Sequence, residues 1–274
     1  MTTSVKTVPV WAWLSLLTNG VLMLAIALLI YRQQGAIAFF GKRTPPISAK
    51  QNSPSKAQAT APQLGQRHKL NYRQWVEILQ QEAKVAAQKQ PQHLTILVGD
   101  SLSLWFPFNL LPLNKSWLNQ GISGETSTGL LKRLELFDST QPETIFVMIG
   151  INDLIRGESD KTILDNHRQI MRYLRKAHPK SQIVVQSILP HGHEEATWEG
   201  KEKLLAIPNS RIRRLNQQLR DMAKEESVKY LDLHPLFANK LGNLRPELST
   251  DGLHLNSQGY LVWSSALQLY GQMW

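Results

Sequence analysis

The chain has 274 residues, 42% of them apolar, enough for one ordinary domain with appendages. It contains no cysteine, which excludes disulfides, thiolate nucleophiles and cysteine-ligated zinc or iron–sulfur sites. The formal charge of +10 does not point to nucleic acid: the six basic residues before position 67 meet no acid, the other 25 face all 21 acids, and the remaining +4 is scattered apart from Arg211, Arg213 and Arg214.

Residues 1–9 form a short arm, and 10–31 an almost wholly apolar run broken only by Ser15, Thr18, Asn19 and Gly20. A helix of that length crosses a hydrocarbon core of about 30 Å. Trp11, Trp13 and Tyr31 sit at its ends, where aromatic rings favour the water–lipid boundary. The run predicts a single transmembrane helix acting as a signal anchor. A cleaved signal peptide is the alternative, with Ala36-Ile37-Ala38 as a passable cleavage site, but its apolar region is usually about 7–15 residues. A short arm before a long apolar run places the following domain outside the cytoplasmic membrane, although Lys6 before the run and Arg32, Lys42 and Arg43 after it lean the other way. Residues 32–69 hold Pro, Ser, Gln, Ala and Lys over 41–66 with almost no large apolar side chain, and read as a flexible linker.

From 70 to 274 helix and strand patterns alternate. Tyr72, Trp75, Val76, Leu79, Ala83 and Ala86 recur at three and four residues, an amphipathic helix. Short apolar runs at 94–98, 117–122 and 144–149 predict three strands. Ile163, Leu164, His167, Ile170, Met171 and Leu174 stripe a second helix. A fourth strand is expected at 183–189, then a helix from Pro208 through Ile212, Leu215, Leu219 and Met222. A fifth strand at 229–233 and a closing helix at 257–270 complete the pattern. Strands alternating with helices of this length imply an α/β fold, a parallel sheet covered on both faces.

In such a sheet, function gathers at the carboxyl ends of the strands. Those ends read Gly99-Asp100-Ser101-Leu102, Gly121-Ile122-Ser123-Gly124 and Gly150-Ile151-Asn152-Asp153, and Asp251-Gly252-Leu253-His254 follows the last strand. Together they hold the parts of an acyl-transfer site. A serine hydroxyl needs a base to take its proton, and Ser101 directly follows an apolar strand. His254 is the candidate base and Asp251 the carboxylate that would orient it, close enough to meet across the turn at Gly252. An oxyanion needs preorganised donors: the backbone N–H groups of Ser101 and Gly124 and the side-chain amide of Asn152 are the candidates.

These four blocks, in this order, resemble the SGNH hydrolases, or GDSL-like lipases and esterases. The resemblance spans about residues 93–260 and implies Ser101, Asp251 and His254 as a catalytic triad, with Ser101, Gly124 and Asn152 as the oxyanion hole. It also implies a flavodoxin-like three-layer α/β/α sandwich with about five parallel strands, and ester or thioester hydrolysis without a metal or cofactor. An α/β-hydrolase would instead show G-x-S-x-G, whose last glycine is missing after Ser101.

The run from Leu102 to Leu113 is unusually apolar, and Pro107 and Pro112 interrupt any regular helix there. Trp105 and Phe106 are therefore expected to bind substrate, favouring lipid acyl esters or thioesters. The alternative within enzymes is a carbohydrate esterase that deacetylates polysaccharide; a catalytically silent binding domain would show a broken triad. The expected partners are the ester substrate and, through the helix at 10–31, a membrane. Asp100 and Asp153 read as structural carboxylates, His167 as a core histidine and His234 as structural. His191-Gly192-His193 reads as a loop at the site mouth in preference to a metal site, since no acidic triad accompanies it.

Overall fold

The computed structural model describes residues 70–273, so the expected membrane helix at 10–31 and the linker at 32–69 lie outside the described residues. Among the described residues no helix is long and apolar enough to cross a membrane. The first helix, α1 (Tyr72–Lys89), starts at Asn71, whose side chain accepts the Gln74 N–H while the Gln74 side chain takes the Asn71 N–H. Its buried stripe is Leu79 and Ala83.

Five strands follow: β1 (Leu94–Gly99), β2 (Ser116–Gly121), β3 (Thr144–Met148), β4 (Gln182–Gln186) and β5 (Lys229–Leu231). They pair in parallel in the order β2-β1-β3-β4-β5. Short helices α2 (Ser101–Leu104), α3 (Ser127–Leu131) and α4 (Ile151–Ile155) lie in the connections that leave β1, β2 and β3. The longer α5 (Asp160–Ala177) is followed by α6 (Lys201–Leu205), α7 (Asn209–Glu225), α8 (His234–Phe237) and the closing α9 (Ser257–Met273).

Side chains alternate across each strand, and here both sets are apolar. Ile96, Val98, Ile145 and Val147 pack with Ala83 of α1 and with Ile170 and Leu174 of α5, while Val185 meets Met222 and Ala223 of α7. Leu97, Phe146 and Met148 pack on the opposite face, with Trp263 and Leu267 of α9. This is the expected three-layer arrangement, and the strand order is the flavodoxin-like one.

Four strands end before their expected limits: β2 at Gly121, β3 at Met148, β5 at Leu231 and, most instructively, β4. β4 is expected to reach 189 but ends at Gln186; the Ser187 N–H still bonds Leu231 O, and from Ile188 the backbone turns to a side-chain partner. Ile188 exchanges both backbone bonds with the Asn216 amide, at 2.8 Å each, and Ser187 Oγ accepts the N–H groups of Leu233 and His234. The fully buried Trp263 closes the α9 face, donating its indole N–H to Gln186 Oε1 at 2.7 Å. Replacing it removes that bond and opens a cavity. Trp263→Ala should cost about 3–5 kcal/mol in urea unfolding of the full-length chain; a loss under about 1 kcal/mol would show that α9 contributes little to the core.

Candidate active site

The strand order reverses between β1 and β3, and the crevice at such a reversal is the usual ligand site of an open α/β sheet. β1 delivers Asp100 and Ser101 to it, and β3 delivers Gly150 and Asn152. Ser101 opens α2, and Asp100 caps it: Asp100 Oδ1 accepts the Leu102 N–H at 3.0 Å. This cap turns the chain sharply at the strand end and keeps Ser101 at the sheet edge.

Asp251 and His254 meet as their spacing predicts. His254 Nδ1 lies 2.8 Å from Asp251 Oδ2, while Asp251 Oδ1 accepts the N–H groups of Leu253 and His254. Burial pushes the Asp251 carboxyl up, but the His254 ring and these two N–H donors outweigh it and hold it below the usual carboxylate range. The turn requires glycine: Gly252 has φ +85°, and a Cβ there would lie 2.6 Å from Ala196. The loop at 191–198 supports the turn from behind, with the N–H groups of Thr197 and Trp198 donating to Asp251 O and that of Gly192 to Gly252 O.

Ser101 Oγ makes no hydrogen bond to the imidazole among the described residues. What joins the two elements is packing. Trp105, one turn beyond Ser101, lies against the His254 ring with centroids 4.5 Å apart, and Tyr260 OH donates to Leu102 O at 3.1 Å. Unliganded sites commonly hold such catalytic bonds long.

The three candidate oxyanion donors are free of protein partners among the described residues. Asn152 Nδ2 is buried with no acceptor. The Ser101 N–H lies in the first helical turn, and the Gly124 N–H also has no acceptor. Gly124 sits at φ +73°, where a side chain would be strained, and Arg156 donates to its carbonyl at 2.7 Å. Next to Asn152, the buried Asp153 accepts the Ser127 N–H at 2.9 Å and its hydroxyl, tying α4 to the loop that carries Gly124. Asp153 is therefore the brace that its sequence position suggested.

Phe106 does not join the site. It is buried in the core between Tyr260 and Trp263, at 5.1 and 5.0 Å, because the chain leaves α2 at Trp105 and turns inward at the next residue. Trp105 is the member of that pair left at the crevice. His191 is also structural in geometry: its Nε2 bonds Ile207 O at 2.7 Å and its Nδ1 accepts the His193 N–H, so neither nitrogen of that ring is left for a metal. Among the described residues no cluster of three potential metal ligands occurs.

Two functional supports carry no local sequence signal. Arg133 and Glu125 form an ion pair at 2.7 Å, each side chain 3% exposed. Arg133 also donates to Gln120 O and Gly99 O, the carbonyl ends of β2 and β1. Eight residues apart and on different elements, they become visible as a pair only in the fold. Under Ser101, burial and the nearby Asp153 and Glu125 carboxylates push the Asp100 carboxyl up to about 7 against the Leu102 N–H, and its Oδ2 has no partner.

Residues 97–262 match the model of the GDSL-like lipase/acylhydrolase family. The chain is 27% identical over 175 residues to an N-acylneuraminate cytidylyltransferase of Streptococcus agalactiae, covering 64% of this chain but only 38% of that one. It is 25% identical over 162 residues to the isoamyl acetate-hydrolyzing esterase of Saccharomyces cerevisiae, covering 55% and 66% of the two chains. A Streptococcus pneumoniae structure described as a candidate platelet activating factor superposes with a TM-score of 0.64 at 25% identity, over 72% of this chain and 92% of that one.

The Asp100 shift has a testable sign. The carboxyl rises from 3.8 to about 7 on folding, so between those values the folded protein holds a proton that the unfolded chain has lost. Stability should therefore fall as pH rises through that window and level off above it. Asp100→Asn keeps the acceptor for the Leu102 N–H and removes the titration. Its urea midpoint should vary less between pH 5 and 8 than the parent's, and equal slopes would show that Asp100 does not titrate there.

Proposed function

Since the chain belongs to the GDSL-like lipase/acylhydrolase family, we propose that it is a serine hydrolase of carboxylic esters that works through an acyl-enzyme. The observation that carries this reading is the Asn152 amide, buried and without an acceptor just beyond β3, the strand paired with the β1 that leads to Ser101. A fold leaves such a donor unpaired at a cost of about 1–3 kcal/mol, which a developing oxyanion would offset.

In this mechanism the Ser101 hydroxyl passes its proton to His254 Nε2 as Oγ bonds to the ester carbonyl carbon. The carbonyl oxygen becomes an oxyanion held by the N–H groups of Ser101 and Gly124 and by Asn152 Nδ2. Collapse breaks the bond to the alkoxy oxygen, which takes the proton from His254 and leaves as the alcohol. Water then repeats the sequence on the acyl-enzyme, releasing the acid and restoring Ser101. Asp251 holds the ring tautomer and stabilises the imidazolium throughout.

A second reading, lipid esters hydrolysed at a membrane, is favoured by the exposure of Phe108 and Leu113, at 78% and 95%, and by the apolar run at 10–31. It includes the domain standing outside the cytoplasmic membrane. Under this reading kcat/KM rises from acetyl to hexanoyl esters, the chain sediments with membranes, and protease reaches the domain in intact spheroplasts. An acetyl preference with a protein that stays in the supernatant would remove the reading.

The variants that test the mechanism are Ser101→Ala and Asn152→Ala. Ser101→Ala should abolish ester hydrolysis by several orders of magnitude and block labelling by a fluorophosphonate. Asn152→Ala should lower kcat by about 10²–10³ with little change in KM. Because Nδ2 has no partner in the fold, this second variant should not lose stability. Retained activity in Ser101→Ala contradicts the mechanism, and an effect of Asn152→Ala confined to KM makes it a substrate-binding group.

A further inference from the structure

We propose that the cleft between α1 and the loop carrying Gly124 receives the alcohol portion of the ester, and that Tyr72 and Trp75 select alcohols with a ring-shaped apolar face. The inference rests on the esterase reading and names the substrate class within it.

The cleft has a volume of about 260 Å³, with Tyr72 and Trp75 on one side, Leu104 and Trp105 on a second, and Ile122 and Ser123 on a third. Two of these walls belong to the chemistry. Trp105 packs against the His254 ring, and Ser123 adjoins Gly124. In ester cleavage the imidazolium protonates the departing alkoxy oxygen, so that oxygen must lie beside His254. The space that Trp105 borders on its way out from His254 is then where the rest of the alcohol extends.

The lining says which alcohol. Three aromatic rings, Tyr72, Trp75 and Trp105, surround the space. Aromatic faces gain from stacking on a flat aryl ring or on the C–H face of a sugar ring, and a thin alkyl chain offers no such face. Cavities of roughly 150 Å³ already accept a benzene ring, so this volume admits one substituted ring. The far wall is held in place: Tyr72 OH donates to Glu125 Oε2 at 3.3 Å, Glu125 pairs with Arg133, and Gln120 Nε2 donates to Leu79 O of the same helix at 3.2 Å.

The test uses the full-length chain and four esters: 2-phenylethyl acetate, methyl 6-O-acetylglucoside, ethyl acetate and ethyl hexanoate. Trp75→Ala should lower the kcat/KM ratio of 2-phenylethyl to ethyl acetate about tenfold, while the ratio of ethyl hexanoate to ethyl acetate moves by less than about twofold. Trp75→Phe, which keeps a ring, should retain most of the selectivity. A parallel fall for the acetylglucoside identifies a sugar-ring alcohol, and a fall for the phenylethyl ester alone an aryl one. Should Trp75→Ala fail to fold, Tyr72→Ala at the exposed rim carries the same expectation. A drop in the hexanoate ratio with the alcohol ratio unchanged would assign the cleft to the acyl group and overturn the proposal, as would no movement in either ratio. Absence of turnover of every ester by the parent protein is a different result, and it removes the esterase reading itself.

Discussion

A guanidinium buried under the active edge holds this domain's working parts in register. Arg133 donates Nη1 to Gln120 O at 2.9 Å, Nη2 to Gly99 O at 3.3 Å and Nε to Glu125 Oε2 at 2.7 Å. Gly99 O and Gln120 O are buried carbonyls at the strand ends, which need donors. Arg supplies several in one rigid plane, which the point charge of lysine would not. A buried ion pair of this kind contributes little net stability, since desolvation offsets its attraction. Its contribution is geometric. It locks the exits of β1 and β2 to the loop that follows Gly121, and through Glu125 it reaches Tyr72 on α1. Serine, oxyanion loop and cleft wall thus share one anchor.

A second carboxylate closes the loop from its other end. Asp153 takes the N–H and hydroxyl of Ser127, and Asn166 donates to Ser127 Oγ at 2.9 Å, so α3, α4 and α5 meet at one polar knot. Gly124 lies just before both anchors, Glu125 itself and Ser127, which Asp153 holds. Successive side chains on a helix point about 100° apart, which lets Asp153 turn inward while Asn152 turns elsewhere. The fold satisfies one neighbour fully and leaves the other with a buried unpaired amide. Asp100 Oδ2 is a similar unpaired atom, beneath the serine. In the proposed mechanism the Asn152 amide finds its partner in the oxyanion.

The Asp251–His254 turn depends on its neighbours in another way. Its internal bonds are local, but its position comes from the 191–198 loop, whose own conformation rests on His191 bonding Ile207 and on Asn209 holding the His191 backbone at both its N–H and its C=O. His191 therefore serves the site without touching it. The remaining link is hydrophobic: α9 anchors the chain just after the turn by packing Tyr260 and Trp263 on Phe106. The core that buries Phe106 also brings His254 onto Trp105.

Features whose physics is local could be read directly from the residues. Continuous apolar runs at 94–98 and 144–149 predicted the strands found at 94–99 and 144–148, because a parallel sheet covered on both faces buries both sides of each strand. A three-residue spacing across Gly252 was enough to bring Asp251 and His254 together, and a serine directly after a buried strand had to emerge at the sheet edge. Only the tertiary structure decided which of Trp105 and Phe106 entered the core, because neighbouring aromatics differ only in the direction the chain turns after α2. It alone joined Arg133 to Glu125 and brought Asn216 of α7 to the Ile188 backbone groups beyond the end of β4. Trp75 lay on the apolar stripe of an amphipathic helix, and its place at the cleft depends on what that helix packs beside. Periodicity reports which face of an element is apolar; what that face meets depends on contacts between residues far apart in the chain.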